Sequence, residues 1–386
     1  MIFKNKDILA TEFSIKKIID KTEIIKLLDQ YFDSNLIYIT GRTGTGKTHI
    51  ITLYYQERVL PKNILYYIDC KTLSSKTFYG ILSYLMEFFY KDKIIETKFM
   101  FWTQVVCEDE LINYLKNNDV KIYVILDEVD KLKLTTFSDL IHWFQNIFDK
   151  SGHKIKLILI SNDIYLDTKL DEATFRRLQA KIHFPSYNIS EIYQILEEYA
   201  KLSLIEGSYT QEDILKVAKE VEGDVRSAKE LLYHWAILCE EEGKLSDEKF
   251  EEALWMMEYN SIEKEVSKFT IDEKLLLLAI IDLNLFYEKE KAQLKTAKGF
   301  QRFIEDPKIL PTYKRVKEKF EELVLTYGFK SYIGEKKFRR IIDKFKKLGF
   351  IEIDIKAFGR GKGVSGIVRL LKSPEKFKDI IDKSMI

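Results

Sequence analysis

The chain has 386 residues, too many for one ordinary hydrophobic core, so its length predicts two or three domains. Hydrophobic residues make up 46% and charged residues 32%, with only 5 Pro and 16 Gly, which predicts a globular protein throughout. No stretch approaches the roughly 18 uncharged apolar residues of a membrane span, and the start "MIFKNKDILATEF" lacks the apolar core of a signal peptide. We therefore expect a soluble, cytoplasmic protein without a membrane partner. Cys70, Cys107 and Cys239 form no metal-spaced pair and are predicted to be buried free thiols.

The distribution of charge is more informative than the net charge of +1. Residues 266–386 contain 28 Lys and Arg against 17 Asp and Glu, whereas residues 1–265 contain 34 against 44. The C-terminal part is therefore strongly basic, while the remainder is acidic. A basic segment of this kind is predicted to bind a polyanion.

Apolar strands alternate with helical stretches from about residue 15 to residue 187. This alternation predicts an α/β domain with a parallel five-stranded sheet that is covered on both faces. The predicted strands lie near residues 35–40, 63–70, 121–127, 154–161 and 180–184.

The segment "GRTGTGKT" follows the first of these strands and has the spacing of a P-loop. Its glycines would let backbone N–H groups surround the β-phosphate of a nucleotide, Lys47 would reach the β- and γ-phosphates, and the Thr48 hydroxyl would bind Mg²⁺. The helix predicted after the loop would direct its N-terminus at the phosphates. With ATP or ADP and Mg²⁺ as cofactors, the predicted nucleotide-binding residues are Gly41, Thr43, Gly44, Thr45, Gly46, Lys47, Thr48 and His49.

An acidic pair ends the strand in "KIYVILDEVDKL". Asp127 is predicted to hold Mg²⁺ through water, and Glu128 to orient or deprotonate an attacking water. An Asp-Glu pair, rather than Asp alone, favours a hydrolase over a kinase. Asn162 ends the next strand, at the edge of the sheet where ligands bind in open parallel sheets, and could fix the lytic water. Asn is also common in turns for local reasons.

Residues 188–265 are predicted to be helical only, with the first helix beginning behind Asn188. A third part begins near residue 266 and contains the helices "PTYKRVKEKFEELVLTYG" and "GEKKFRRIIDKFKKLGF", followed by two short strands around the tip "GRGKGVS". The predicted domains are therefore 1–187, 188–265 and 266–386.

The third part is predicted to be a winged helix, in which the second helix would insert a basic face into a major groove of DNA. The Gly-rich tip would contact a minor groove or the phosphate backbone. A solvated lysine-rich helix with an ordinary hairpin turn would give the same pattern, but the charge asymmetry favours a DNA interface. Lys347 also lies on the basic face. The predicted DNA-binding residues are Lys336, Lys337, Arg339, Arg340, Lys344, Arg360, Gly361 and Lys362.

The order of "GRTGTGKT", "VILDEVD", "LISND", "FPSYN", "GDVR" and a basic winged helix resembles the archaeal origin-recognition initiators, which are AAA+ relatives of the eukaryotic origin recognition complex. The resemblance covers nearly the whole chain, although Arg42 and Thr43 stand where the family usually has two prolines. It implies an AAA+ domain with a helical lid, in which Arg226 is a second sensor over the γ-phosphate. It also places an inter-subunit arginine finger at "FRRLQ", where Arg177 matches best although Arg176 replaces a small residue.

The family also inserts a DNA-contacting helix between the second strand and the Asp-Glu strand, and "SSKTFYGILSYLMEFFYKDK" is the candidate here. Lys76, Lys91 and Lys93 are its plausible phosphate contacts. The segment is mostly apolar, so core packing explains most of it at least as well.

The resemblance implies an ATP-dependent replication initiator associated with the nucleoid. It would bind double-stranded origin DNA beside paralogous initiator subunits, help recruit the replicative helicase, and hydrolyse ATP slowly as a switch. The residues implied in catalysis are Lys47, Asp127, Glu128, Asn162, Arg226 and Arg177.

Two alternative functions remain open. A clamp-loader-like or mobile-element helper ATPase would show strong DNA-stimulated turnover and need partner subunits. A regulator of origins or promoters would hold the nucleotide as a structural ligand and never hydrolyse it, and the altered finger motif at Arg176 keeps this alternative open.

Overall fold

The computed structural model describes residues 1–10, 15, 21–60, 62–100, 103–178, 180–294, 308–357, 364–371 and 373–385. The chain divides into two compact units, Met1–Leu254 and Trp255–Ile386. The three-part division at residues 187 and 265 stays a prediction.

A parallel sheet forms the centre of the first unit, with the strand order β2-β3-β4-β1-β5. All five strands are parallel, so the loop after β1 and the end of β3 lie at the same edge of the sheet, with β4 between the two strands. The predicted five-stranded parallel α/β sheet is confirmed. The strands are β1 (Leu36–Gly41), β2 (Ile64–Asp69), β3 (Ile122–Asp127), β4 (Ile155–Ser161) and β5 (Ala180–Phe184).

Helices cover both faces of the sheet, as the nearly continuous apolar strands require. Successive strand residues point to opposite faces, so Ile37 and Tyr38 belong to different hydrophobic clusters. One cluster involves α2 and α3, and the other involves α4, α5 and α6. The helices of this region are α1 (Asp7–Ala10), α2 (Thr22–Tyr31), α3 (Lys47–Val59), α4 (Phe78–Lys91), α5 (Gln104–Asn117), α6 (Leu134–Lys150) and α7 (Glu172–Arg177).

The chain after the sheet is helical, as predicted, and its helices begin at polar caps. Asn188 and Glu191 form a capping box at the start of the first of these helices, and Thr210 and Asp213 form another at the second. We call residues 188–254 the lid. The helices that follow the sheet are α8 (Ile189–Ser203), α9 (Gln211–Glu220), α10 (Val225–Leu238) and α11 (Phe250–Val266), the last of which crosses the boundary between the two units.

The second unit is a helix-turn-helix followed by an antiparallel β-hairpin, which confirms the predicted winged helix. Its core includes four apolar residues of the second helix of the motif. Asn284 is buried and joins the first long helix to the hairpin, because its side chain donates to Val368 O and accepts from Leu370 N. The elements are α12 (Ile271–Leu294), α13 (Tyr313–Thr326), α14 (Glu335–Lys347), β6 (Ile351–Ala357), β7 (Val364–Leu370) and α15 (Pro374–Met385).

Cys70, Cys107 and Cys239 are buried free thiols, as predicted. Within the described part of the chain, none of the helices combines the length and apolar character needed to cross a membrane.

Candidate nucleotide site and nucleic-acid interface

The P-loop connects the end of β1 to the first residue of α3. Gly44 and Gly46 have φ values of 79° and 78°, a left-handed conformation that glycine adopts without steric cost. Gly46 is the N-cap of α3, so the unpaired N–H groups of this 13-residue helix face the loop. The loop and helix therefore have the geometry of an anion site.

Lys47 lies inside this loop with only 4% of its surface exposed. Its Nζ donates hydrogen bonds to Gly41 O and Arg42 O, both at 2.7 Å. Burial lowers the pKa of Lys47 to about 8, and the nearby Asp127 carboxylate opposes that shift. The carbonyl oxygens thus hold the ammonium group at the loop, where the oxygens of a phosphate would compete for it.

Asp127 is buried at the end of β3, and the surrounding residues hold both of its carboxylate oxygens. Oδ2 accepts from the Thr48 hydroxyl at 2.6 Å and from the Tyr67 hydroxyl at 2.9 Å. Oδ1 accepts from the backbone N–H of Glu128 at 2.7 Å. A hydroxyl and a carboxylate in contact at a P-loop are the oxygen ligands that Mg²⁺ prefers, so these residues fit the metal predicted from the sequence.

Glu128 has a φ of 50°, in the left-handed region that non-glycine residues seldom adopt. Its carboxylate forms no ion pair or hydrogen bond with another described residue. Strained backbone of this kind clusters at functional sites. The conformation is consistent with a side chain that is held for a ligand or a water molecule.

Asn162 follows the end of its strand, β4, as predicted. In the sheet, β4 lies between β1 and β3. Its backbone N–H donates to Asp130 Oδ1 at 2.9 Å, so the acidic segment after β3 fixes the turn that contains Asn162. Asp130 and Tyr67 were not among the site residues predicted from the sequence. The second aspartate in "DEVD" was the one available sign of Asp130.

The lid contacts the P-loop at Gly44, and Tyr187, the residue just before the lid, contacts it at Gly46. A Cβ atom at Gly44 would lie 2.0 Å from Oδ1 of Asp224, and a Cβ atom at Gly46 would lie 2.3 Å from the hydroxyl of Tyr187. Asp224 is the N-cap of α10, where it accepts from the backbone N–H of Arg226 at 2.8 Å. Glycine is therefore required at both positions by packing as well as by backbone conformation.

Arg226 is exposed on the first turn of α10. A cation there is unfavourable, because the N-terminus of a helix carries a partial positive charge. Its charge also helps to lower the pKa of Lys47, an effect smaller than that of burial, so both cations act on the same region. Within the described residues Arg226 has no ion-pair partner, which is the arrangement expected of a side chain that binds an anionic ligand.

The other predicted site residues of the first unit lie at the surface or in the first turn of α3. Thr43 is exposed in the P-loop, and His49 is half-buried in α3. Arg177 ends α7 and donates to Ala173 O at 3.0 Å, whereas Arg176 pairs with the Glu172 carboxylate. Whether Arg177 acts on a neighbouring subunit stays a prediction.

The predicted DNA-contacting insertion corresponds mainly to α4, whose apolar side is part of the sheet core. Lys91 and Lys93 are exposed, and Lys76 is half-buried just before the helix. Lys91 also pairs with Glu87 at 3.5 Å. Core packing therefore explains most of this segment, and its contact with DNA stays a prediction.

In the second unit, the basic residues of α14 fall into two groups. Some are paired with acids of the same unit: Lys337 contacts Asp272, Lys344 lies 2.7 Å from Glu273, and Arg339 lies 3.0 Å from Glu335. Within the described residues, the other group has no acidic partner and is exposed to solvent. This group consists of Lys336, Arg340, Lys346 and Lys347.

The predicted DNA-binding residues of α14 therefore differ in whether an acid of the same unit already neutralises them. The unpaired cations are free to bind phosphate, whereas Lys337 and Lys344 already have charge partners on α12. The predicted tip residues Arg360, Gly361 and Lys362 lie outside the described residues.

The chain is similar to known proteins in sequence and in structure. The AAA domain family matches residues 30–170, the part of the chain that contains the P-loop and Asp127. The chain is 24% identical to an ORC1-type DNA replication protein of Thermococcus kodakarensis, covering 98% of this chain and 90% of the relative. It is 28% identical to ORC1-type DNA replication protein 1 of Sulfurisphaera tokodaii, over 72% of this chain and 73% of that protein.

Solved structures have the same fold over almost the whole length. The ORC1 protein of Aeropyrum pernix in complex with DNA matches with a TM-score of 0.71 and 18% identity, covering 99% of this chain and 97% of that one. Cdc6p of Pyrobaculum aerophilum matches with a TM-score of 0.57 and 18% identity, covering 100% and 99%. The AAA domain match, the ORC1-type relatives and the shared fold together support the resemblance to the archaeal origin-recognition family of AAA+ proteins.

Proposed function

We propose that this protein is an ATP-dependent DNA replication initiator that binds double-stranded origin DNA. One observation carries the proposal: a P-loop site contacted by a lid occurs in the same chain as a winged helix with unpaired cations. A nucleotide site alone would fit many ATPases, and a winged helix alone would fit many DNA-binding proteins. Their combination fits a protein whose hold on DNA depends on its nucleotide.

Three residues would hold the nucleotide and its metal. Lys47 would contact the β- and γ-phosphates, while Thr48 and Asp127 would hold Mg²⁺, directly and through water respectively. Mg²⁺ held by these residues would neutralise negative charge on the β- and γ-phosphates when the γ-phosphoryl group is transferred to water. The 2.6 Å contact between the Thr48 hydroxyl and Asp127 supports these roles, because both ligands already lie together.

Hydrolysis would depend on Glu128 and on the turn that Asp130 fixes. The Glu128 carboxylate would accept a proton from the attacking water, and the Asn162 amide would orient that water. Arg226 would contact the γ-phosphate from the lid, so closure would be tighter with ATP than with ADP. Asp224 supports this role, since it packs on Gly44 next to Arg226.

We further propose that hydrolysis is slow and serves as a switch. Arg177 would complete the site of a neighbouring paralogous subunit, and an isolated chain would lack such a finger in its own site. The hydrogen bond from Arg177 to Ala173 O in its own helix is consistent with a side chain that must rearrange to reach a neighbour.

The second unit would bind the duplex with α14 in the major groove. Lys336, Arg340 and Lys347 supply unpaired charge, and the tip at Arg360, Gly361 and Lys362 would contact the minor groove or the backbone. Lys337, Arg339 and Lys344 would contribute less than these, because acids of the same unit already neutralise them.

The relatives supply the biological context of the proposal. The similar proteins are ORC1-type DNA replication proteins, and similar structures include an ORC1 protein in complex with DNA and the Drosophila ORC bound to DNA, the latter with 14% identity and a TM-score of 0.54. We propose that this chain likewise acts on origin DNA beside paralogous subunits. Recruitment of the replicative helicase rests on the family resemblance alone.

Footprinting tests the proposal. The full chain is added to origin fragments and to random duplex DNA at one fixed salt concentration, with ATP, with ADP, and as the Glu128→Gln variant with ATP. Salt is fixed because phosphate contacts alone can imitate specific affinity. Glu57→Gln serves as the control, since Glu57 is an exposed acid on α3 that makes no ion pair within the described residues.

We expect discrete protected sites that change with the nucleotide, and a Glu128→Gln variant that binds ATP but no longer hydrolyses it. Equal coverage of every sequence would overturn origin recognition and indicate a helper ATPase. Sharp sites that ignore the nucleotide would instead indicate a regulator that holds its nucleotide structurally.

A further inference from the structure

The outward side of α14 carries one carboxylate among its cations. Burial of four apolar residues defines the core side of the helix: Phe338, Ile341, Ile342 and Phe345. At about 100° per residue, the residues on the opposite side form an outward stripe. The outward stripe consists of Lys336, Arg340, Asp343 and Lys347, and all four residues line one shallow depression of the surface.

Asp343 is exposed, and none of the cations in the described part of the chain forms an ion pair with it. An acid placed four residues before a lysine is favourably placed for an ion pair on a helix, as Asp343 is relative to Lys347. Within the described residues Asp343 forms no such pair. The flanking Arg339 and Lys344 pair with Glu335 and Glu273 instead. The Asp343 carboxylate therefore projects freely beside unpaired cations.

A negative charge on a DNA-binding surface opposes binding wherever it faces phosphates, because affinity there comes from neutralising them. The flanks of a helix in the major groove face the two backbones, whereas its outermost stripe faces the base edges. A carboxylate on that stripe can accept a hydrogen bond from the N4 amino group of cytosine, the donor that acidic side chains read in the major groove.

We propose that Asp343 reads sequence, by accepting a hydrogen bond from the N4 amino group of a cytosine in the major groove. The inference rests on the proposed function, because it requires α14 to enter duplex DNA. Arg340 lies three residues earlier on the same stripe and is suited to the O6 and N7 atoms of a guanine at a neighbouring position. The two side chains together would select a short G- and C-containing step.

Selection from a randomised duplex library tests this role, using the full chain with ATP at one salt concentration. We expect the wild type to prefer cytosine at one position by about tenfold, in line with a single base contact. Asp343→Ala should lose that preference while keeping the others. Asp343→Asn should shift it toward adenine, because an amide pairs with adenine N6 and N7. As the control, Asp382→Ala removes the same charge from an exposed position on α15 and should change no base preference.

The outcomes separate this inference from the function on which it rests. If Asp343→Ala keeps every base preference, Asp343 is only a repulsive charge and the inference is wrong, even if overall affinity rises. If Lys336→Ala and Arg340→Ala also leave DNA affinity unchanged, α14 is not the DNA face and the proposed function itself fails in its DNA-binding part.

Discussion

The hydroxyl of Thr48 lies 2.6 Å from Oδ2 of Asp127, although 79 residues separate the two in sequence. The contact exists because β1 and β3 are both parallel and end at the same edge of the sheet. Tyr67 on β2 donates to the same oxygen from the other side of β3. The acid that would hold the metal is thus fixed by Thr48 in the helix after β1 and by Tyr67 on β2.

Removal of the Tyr67 hydroxyl should weaken metal-dependent nucleotide binding. When Thr48 turns to ligate Mg²⁺, Tyr67 would be the donor that keeps Oδ2 of Asp127 in place. A hydrogen bond of this kind contributes about 1 kcal/mol, so Tyr67→Phe should raise the Mg²⁺ concentration needed for tight ATP binding about fivefold. Titration of Mg²⁺ at constant ATP measures this, and ATP binding without Mg²⁺ should not change.

Tyr66→Phe is the matched control, because the Tyr66 hydroxyl bonds Asp92 on the opposite face of the sheet. It should leave the Mg²⁺ titration unchanged. An equal shift in both variants would mean that the effect is general loosening of β2, and that Tyr67 does not position Asp127.

The strands and the P-loop could be predicted from sequence because each depends on local pattern. Buried parallel strands give short continuous apolar runs. The spacing of Gly, Lys and Thr within the P-loop is local, so the loop can be recognised without knowledge of the rest of the fold. The roles of Tyr67 and Asp130 could not be predicted, since they depend on β2 lying beside β3 and on β4 lying beside β3. Strand order is a property of the whole sheet, and a single sequence does not show it.

The winged helix illustrates the same limit. The strong alternation of α14 between basic and apolar positions predicted both the helix and its basic face. In contrast, the helix α12 was not identified, because its run "LLLLAII" is buried almost throughout and lacks a polar side. The pairing of Lys337 and Lys344 with the N-terminus of α12 was therefore also unpredictable.

Substitution of Gly44 should disturb the contact between the lid and the P-loop. Alanine there would adopt a φ near 79° and would also collide with the Asp224 carboxylate. Gly207→Ala is a control for the cost of placing alanine at a positive φ, because Gly207 has a φ of 84° and a Cβ atom there would have nothing within 4 Å. Both variants should lose about 1 kcal/mol of stability from backbone strain.

Only Gly44→Ala should lose nucleotide affinity, by at least about tenfold if the lid is displaced from the loop. Thermal unfolding and ATP titration on the two variants measure the two effects. Identical nucleotide affinity in Gly44→Ala and Gly207→Ala would show that the Asp224 contact does not contribute to the site.

Arg226→Ala should lower the affinity for ATP without lowering the stability of the nucleotide-free protein. The exposed guanidinium opposes the dipole of α10, so its removal should leave the nucleotide-free protein as stable as before or about 0.5 kcal/mol more stable. ATP affinity should fall several-fold more than ADP affinity, because Arg226 would contact the γ-phosphate. Lys219→Ala, an exposed lysine on α9 of the same lid, should change neither. Equal losses for ATP and ADP would exclude a γ-phosphate contact.

Lys336 and Lys337 are neighbours on α14, but their replacement by alanine should affect different properties: DNA binding for Lys336 and stability for Lys337. Lys336 is exposed and unpaired within the described residues, whereas Lys337 contacts Asp272 on α12. Lys336→Ala should weaken DNA binding without affecting folding, because it removes an exposed positive charge from the DNA-binding face. Lys337→Ala should cost the second unit about 1 kcal/mol, a moderate value because solvent reaches the lysine.

The stability effect of Lys337 should depend on pH in a defined direction. Burial alone would raise the pKa of Asp272, but the Lys337 ammonium and the Ser331 hydroxyl outweigh it and hold that pKa below its ordinary value of 3.8. An acid with a lowered pKa stabilises the fold above its unfolded value and loses that contribution as pH falls through the folded value. Denaturant unfolding of the wild type and Lys337→Ala should therefore differ at pH 7 and converge as the pH falls through the lowered pKa of Asp272. A difference that persists in acid would assign the effect to packing of the lysine side chain, since the ion pair with Asp272 no longer exists there.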